Sequence, residues 1–359
     1  MFVIYFYNYL NQSLILTPSI EAMANCLRRV IGSSSAPTTS LLFAHPNGFN
    51  QNIWSPIIED LNDDLVCQKT VQTVDTKSAN CLSFDFQGHG SLGHANSNSI
   101  HTTTPNLEPA RNWLESTRQD VLQAVSAAQQ HEQHEQHEQH EQHEQHRIGV
   151  GMSLGGAALL LAQYYQPSLF SHLFLMEPVL LCDHNNDNET IQTHRVVGSP
   201  FEAKARKRRN RFNSRAHAVE YFSSRKAWSR FDPRAVQAYV DGGITTSVDE
   251  KGCSNYLLSC TPEYEAMIYT SLPIISSNIL EQIGSSCDVT LVVGEESSFT
   301  LDSTGMDKDA VEYYSRRIAP SLLKDNGGEA GIRVLKGCTH NAPMERPSDV
   351  AKMLRELYF

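Results

Sequence analysis

Gly151-Met152-Ser153-Leu154-Gly155 stands between Arg147-Ile148-Gly149-Val150 and Gly156-Ala157-Ala158-Leu159-Leu160-Leu161-Ala162. The four residues before it have the composition of a short buried strand, and the seven after it that of a helix of strong helix formers. A serine set where a strand turns directly into a helix takes a strained backbone conformation. The glycines two residues away on either side let strand and helix approach without a Cβ clash. That turn lifts the Ser153 hydroxyl clear of the sheet and marks it as a nucleophile.

A serine hydroxyl reacts poorly at neutral pH and needs a general base, and histidine has the pKa for it. Gly331-Ile332-Arg333-Val334-Leu335-Lys336 reads as a strand, and Gly337-Cys338-Thr339-His340 places His340 in the loop after it. Ser348 to Leu357 then reads as a closing amphipathic helix. An acid is needed to hold the imidazole tautomer and stabilise the imidazolium. The strand Ser171 to Met176 ends in Glu177-Pro178, and the strand Val289 to Gly294 ends in Glu295-Glu296-Ser297-Ser298, with Asp302 a little further on. The residues leave Glu177, Glu295, Glu296 and Asp302 open for that role.

Acyl transfer also needs two N–H groups aimed at the developing oxyanion. Leu154, directly after the nucleophile, supplies one. The strand Thr39 to Ala44 ends in His45-Pro46-Asn47-Gly48-Phe49; because Pro46 has no N–H, Asn47 is the donor expected from this loop. Asp85 and His89, at the end of the strand beginning at Cys81, are expected to hold a turn.

With 359 residues, 40% hydrophobic and 19% charged, the chain suits one large α/β domain carrying an insertion. The expected division is a first core part over 1–180, an insertion over 181–284 and a second core part over 285–359. A net charge of −11 argues against a nucleic-acid surface. The basic run Lys204-Ala205-Arg206-Lys207-Arg208-Arg209-Asn210-Arg211 is read as a solvated helix face. Eight cysteines without a C-x-x-C pair are expected as reduced thiols of a cytoplasmic protein. Met1 to Leu10 is apolar but lacks a basic flank and is too short to span a bilayer, so an early edge strand is expected and no membrane span. The sequons at Asn11 and Asn188 are read as chance matches. Between Gln130 and Arg147, His-Glu-Gln repeats five times and closes on His146. A period of three drifts by about 60° per repeat around a helix, so no face collects a metal-ligand set. The tract (131–146) is expected as a surface extension after an amphipathic helix from Leu107 to Gln129, with neither metal nor cofactor required.

Three motifs in this order, His45-Pro46-Asn47-Gly48-Phe49, Gly151 to Gly155 and Gly337 to His340, resemble the α/β-hydrolase superfamily over nearly the whole length. The similarity is greatest to fungal and bacterial serine hydrolases, including peroxisomal lipase-like and toxin-biosynthesis hydrolases. Those share a strand ending in Glu-Pro, here Glu177-Pro178, and a segment like Arg208-Arg209-Asn210-Arg211-Phe212 through Phe231-Asp232-Pro233. The resemblance implies a mostly parallel central sheet flanked by helices with a helical lid insertion, and catalytic roles for Ser153 and His340. The family's usual carboxylate position after the second acid-bearing strand holds Ser297 here, which shifts the acid toward Glu177. Pro46 departs from the usual glycine, Met152 from the common histidine, and the His-Glu-Gln tract is foreign to the pattern. The C-terminal Leu357-Tyr358-Phe359 is not an S-K-L type address.

Phe201, Phe212, Tyr221, Phe222, Trp228, Phe231, Tyr239 and Tyr256 recur through the insertion, some to line an apolar pocket and others to pack on the core. The expected activity is hydrolysis of carboxylic esters of apolar, medium-sized substrates, of the esterase or lipase kind. A C–C bond hydrolase or lyase, and a non-catalytic ligand-binding protein, are the alternatives.

Overall fold

The computed structural model describes residues 28–30, 39–68, 79–93, 106–139, 146–184, 189–196, 198–248, 254–298, 309–323 and 331–359. The expected N-terminal edge strand, both sequons and Asp302 lie outside the described residues.

Among the described residues, seven strands form the central sheet: β1 (Arg28–Val30), β2 (Thr39–Ala44), β3 (Ala79–Phe84), β4 (His146–Met152), β5 (His172–Met176), β12 (Asp288–Gly294) and β13 (Ile332–Leu335). Their order is β1-β3-β2-β4-β5-β12-β13. β1 runs antiparallel to β3, and all the other neighbours are parallel. Parallel strands are covered on both faces, so they read as continuous apolar runs; Thr39–Ala44 is buried at every position. Side chains alternate along it. Leu42 and Ala44 join one core with the helices Trp113–Gln139 and Leu154–Tyr165, while Leu41 and Phe43 join the other with Trp54 and the closing helix Pro347–Tyr358.

The chain goes from β2 to β3 on one side and then returns to β4 on the other. The strand order therefore switches direction between β2 and β4, and open parallel sheets place their ligands beyond the carboxyl ends of the strands at such a switch. The register aligns these ends: Ala44 pairs with Gly151, Met152 with Met176, Met176 with Val292, and Gly294 with Leu335. The loop after each strand thus emerges at one edge of the sheet.

Among the described residues, six short strands lie between β5 and β12: β6 (Leu181–Asp183), β7 (Gln192–Arg195), β8 (Arg211–Phe212), β9 (Ile244–Val248), β10 (Ser254–Leu258) and β11 (Ser271–Ser276). They build two three-stranded sheets, β8-β10-β9 and β6-β11-β7, beside the helices Pro200–Arg206, Arg215–Ser223, Pro233–Gly243, Pro262–Ile268 and Ser277–Ser286. The segment is therefore mixed rather than purely helical. Ile244-Thr245-Thr246-Ser247-Val248 is rich in β-branched residues, which favour a strand. The expected helix Leu107–Gln129 is instead two, Glu108–Arg111 and Trp113–Gln139, broken at Asn112. The second continues into the His-Glu-Gln tract, whose Glu and Gln are good helix formers. No helix among the described residues is long and apolar enough to cross a membrane.

Asp120, fully buried on Trp113–Gln139, accepts the N–H and side-chain amide of Gln87 at 2.9 and 3.2 Å and so fixes the turn after β3. Burial raises its pKa from 3.8 to about 7 against those two hydrogen bonds. A raised carboxyl takes up protons on folding, so its contribution to stability falls as pH rises from about 4 to about 7. The melting temperature of Asp120→Asn relative to wild type is expected to increase across that window and level off above it. A pH-independent difference would contradict this.

Candidate active site

Ser153 has φ 53° and ψ −116° and precedes the helix Leu154–Tyr165. This left-handed conformation costs a non-glycine residue of order 1–3 kcal/mol, and the surroundings enforce it. Ser153 N–H donates to the Met176 carbonyl at 2.9 Å, and the Ser153 carbonyl accepts from Ala157 and Val179 at 3.0 and 3.1 Å. The end of β4 is thereby stitched to the segment on both sides of Glu177. A Cβ on Gly155 would overlap the Ala44 carbonyl, and one on Gly151 would lie 2.8 Å from the Gly156 nitrogen. The two glycines allow the helix to cross β2 at backbone contact.

Glu177 also has positive φ, 44°, and is buried. Its Oε1 accepts the Gly294 N–H at 2.8 Å. Its Oε2 accepts the Ser297 hydroxyl at 2.7 Å and lies 2.6 Å from His340 Nδ1. His340 keeps 33% of its side chain exposed against 2% for Glu177, so the imidazole faces outward from a buried acid. Of the four acids left open by the sequence, Glu177 is the one that the described structure joins to His340. Glu295 instead accepts the Gly337 N–H at 2.9 Å. Glu296 is exposed and pairs with Arg230 at 2.7 Å; that hydrogen bond and charge lower its pKa.

The loop after β2 is held from below by two buried histidines. His45 Nε2 accepts the Phe86 N–H at 3.1 Å, so Nδ1 carries the proton and donates to the Pro46 carbonyl at 2.8 Å. Burial, with His89 alongside, pushes its pKa well below 6.5 and keeps it neutral. His89 Nε2 accepts the Gly48 N–H at 3.1 Å. Asp85 accepts from the backbone and side chains of Gln51 and Ser91, and burial still raises its pKa to about 6. Asp85 and His89 hold turns through these bonds.

From above, Asn47 donates its amide to the Glu265 carbonyl at 3.1 Å. The Glu265 carboxylate, buried beside Gly48, pairs with Arg208 at 2.8 Å. Burial raises the pKa of Glu265, and Arg208 opposes that shift. Arg208 is thus not part of a solvated face. Nothing in its basic run distinguishes it from Arg209 or Arg211, both exposed, and the pair escaped the sequence.

The insertion aromatics mostly pack on one another. Phe212, Phe222, Phe231 and Tyr239 are buried, while Phe201 is exposed and lies against Tyr269. Phe49, from the loop after β2, stacks on Trp228 at 5.8 Å and meets Tyr239 edge-on at 5.4 Å. Phe49 and Trp228 stay half-buried, giving an apolar surface beside Asn47 and Gly48.

Comparisons with known proteins agree with this architecture. A sequence profile described as the alpha/beta hydrolase family matches residues 41–353. No protein of curated function matches the sequence. Among solved structures, the peroxisomal alpha-beta-hydrolase Lpx1 of Saccharomyces cerevisiae is similar with TM-score 0.58 and 17% identity, over 92% of this chain and 79% of that one. E-2-(acetamidomethylene)succinate hydrolase is similar with TM-score 0.54 and 17% identity, over 92% and 93%. The thioesterase domain from the curacin biosynthetic pathway follows with TM-score 0.53 and 14% identity, over 92% and 94%. At these identities the likeness is one of fold.

Because the close approach at Gly155 is to backbone, relaxation cannot absorb a methyl group there. Gly155→Ala is expected to cost about 1–3 kcal/mol or more, read as a drop in melting temperature. An unchanged melting temperature would show that the crossing is looser than described.

Proposed function

We propose that this chain, which belongs to the alpha/beta hydrolase family, is a serine hydrolase that cleaves carboxylic esters of apolar, medium-sized substrates through an acyl-enzyme. The observation that carries this reading is the 2.6 Å contact between His340 Nδ1 and the buried Glu177, at the sheet edge where the strained turn presents Ser153.

In this reading Ser153 Oγ attacks the ester carbonyl and His340 Nε2 takes its proton. Glu177, holding Nδ1, fixes the tautomer that leaves Nε2 as the base and stabilises the imidazolium as it forms. The proton then passes to the departing alcohol, and water, activated in the same way, releases the acid. The tetrahedral oxyanion is held by the N–H groups of Leu154 and Asn47. Leu154 opens its helix, where the N–H has no intrahelical acceptor and the helix dipole favours negative charge. Gly48 N–H is engaged by His89, so the donor from that loop is Asn47. Each such donor is worth roughly 3 kcal/mol in the transition state. This chemistry requires no cofactor. The stacked Phe49 and Trp228 beside the loop support an apolar group on the substrate, and the segment between β5 and β12, which brings Trp228 and Glu265 against the loop, acts as its cover.

A panel of p-nitrophenyl esters of increasing chain length tests the reading. Wild type is expected to turn over the medium-length esters best, and Ser153→Ala none of them. Glu177→Gln is expected to lose about 10⁴-fold in kcat, whereas Glu295→Gln and Glu296→Gln stay near wild type. A near-normal kcat for Glu177→Gln would remove Glu177 from the mechanism, and no turnover of any ester by wild type would favour the C–C hydrolase or non-catalytic alternatives.

A further inference from the structure

A second buried carboxylate, which the proposed mechanism does not use, ties down the loop that carries His340. Glu345 ends the short helix Ala342–Glu345, and only 4% of its side chain is exposed. Its Oε2 accepts the Thr339 N–H at 2.9 Å and its Oε1 the Thr339 hydroxyl at 2.5 Å. On the other side of His340, the Asn341 carbonyl accepts the Met344 and Glu345 N–H groups at 2.9 and 3.0 Å. His340 thus sits between two anchored neighbours. Glu177 sets the direction of its ring, and Glu345 sets the point of the backbone from which the ring departs.

Further ties reach the same loop from the segment between β5 and β12. Arg230 donates to the Gly337 carbonyl, pairs with Glu296 at 2.7 Å and brings its Nε to 3.7 Å from Glu345 Oε2. Two residues on, Asp232 N–H donates to the Met344 carbonyl at 2.8 Å. The Arg230–Glu296 pair is exposed on both sides and worth little by itself. Arg230 also sets positive charge beside the buried Glu345, whose hydrogen bonds from Thr339 come from neutral donors. The same turn presents Trp228 to Phe49.

We infer that Glu345 and Arg230 are positioning residues for His340, acting through Thr339 and Gly337, so that the turn bearing Trp228 is a working part of the catalytic centre as well as its cover; the inference rests on the catalytic reading above. A general base acts only within hydrogen-bond reach of the proton it takes, and a misplacement of about 1 Å costs about 100-fold in rate. A shift of the backbone at Thr339 is passed to the adjacent His340 and so to Nε2. Loosening these ties therefore slows proton transfer and leaves the apolar substrate surface as it was.

Values of kcat and KM for variants of the full chain, on the p-nitrophenyl ester that wild type turns over best, test both residues. Thr339→Val keeps the side-chain shape and removes one of the two hydrogen bonds to Glu345. It is expected to lower kcat about tenfold with KM unmoved, and Thr339→Ser, which keeps the hydroxyl, to match wild type. Glu345→Ala, which loses both bonds, is expected to lower kcat about 100-fold, and Arg230→Met about tenfold, again with KM unmoved. Wild-type kcat in Thr339→Val would overturn the role of Glu345, and this variant decides the matter even where Glu345→Ala does not fold. Wild-type kcat in Arg230→Met, or a change confined to KM, would reduce that residue to part of the cover. If wild type turns over no ester, or Ser153→Ala still does, the catalytic reading itself fails and takes the inference with it, an outcome read from those two proteins alone.

Discussion

The site depends on one buried carboxylate. Ionised, Glu177 costs several kcal/mol to bury unless its oxygens are met by donors, and the three donors that meet it come from three places: the end of β12, the turn after it and the loop after β13. Its backbone adds a fourth tie, Glu177 N–H to the Val292 carbonyl at 3.1 Å. Satisfying that one group brings the second part of the sheet into fixed relation with the first. Since Ser153 is bonded to the residues on both sides of Glu177, the strained serine turn is held in the same frame.

A second frame holds the loop after β2. Its lower side rests on buried His45 and His89, which accept the backbone N–H groups of Phe86 and Gly48. Its upper side meets the Arg208–Glu265 pair and the stacked Phe49 and Trp228. In the proposed mechanism this loop would be preorganised by groups that need no movement when negative charge develops, the condition under which oxyanion stabilisation is most effective. The apolar and charged contacts both come from the segment between β5 and β12, so the same stretch of chain fixes the loop geometry and, under the proposed function, would face the substrate.

Much of this was legible in the sequence, for physical reasons that differ by residue. The central strands show as apolar runs because both their faces are covered. Ser153 shows because its turn demands glycine at two places, and His340 because it follows the last strand. The residues alone left the candidate acid open, since Glu177, Glu295 and Glu296 all sit just past strand ends, and only the family resemblance favoured Glu177. What separates them is whether the side chain turns into the sheet or out to solvent, and the positive φ that turns Glu177 inward leaves no compositional mark. The Ser297 hydroxyl was noticed only as a missing carboxylate, not as the donor it is. Arg208 was hidden among like neighbours, and its partner Glu265 lies more than fifty positions away. The β-branched run Ile244 to Val248 did carry a strand signal, outweighed by the helical pattern around it.

The central claim is that Ser153 is the nucleophile of an acyl-transfer centre. Peptide mapping by mass spectrometry after treatment with an alkyl fluorophosphonate tests it most directly. The account predicts a single stoichiometric phosphonate adduct on the peptide carrying Gly151 to Gly155, absent from Ser153→Ala. No adduct on wild type, or an adduct that persists at the same level in Ser153→Ala, would contradict it.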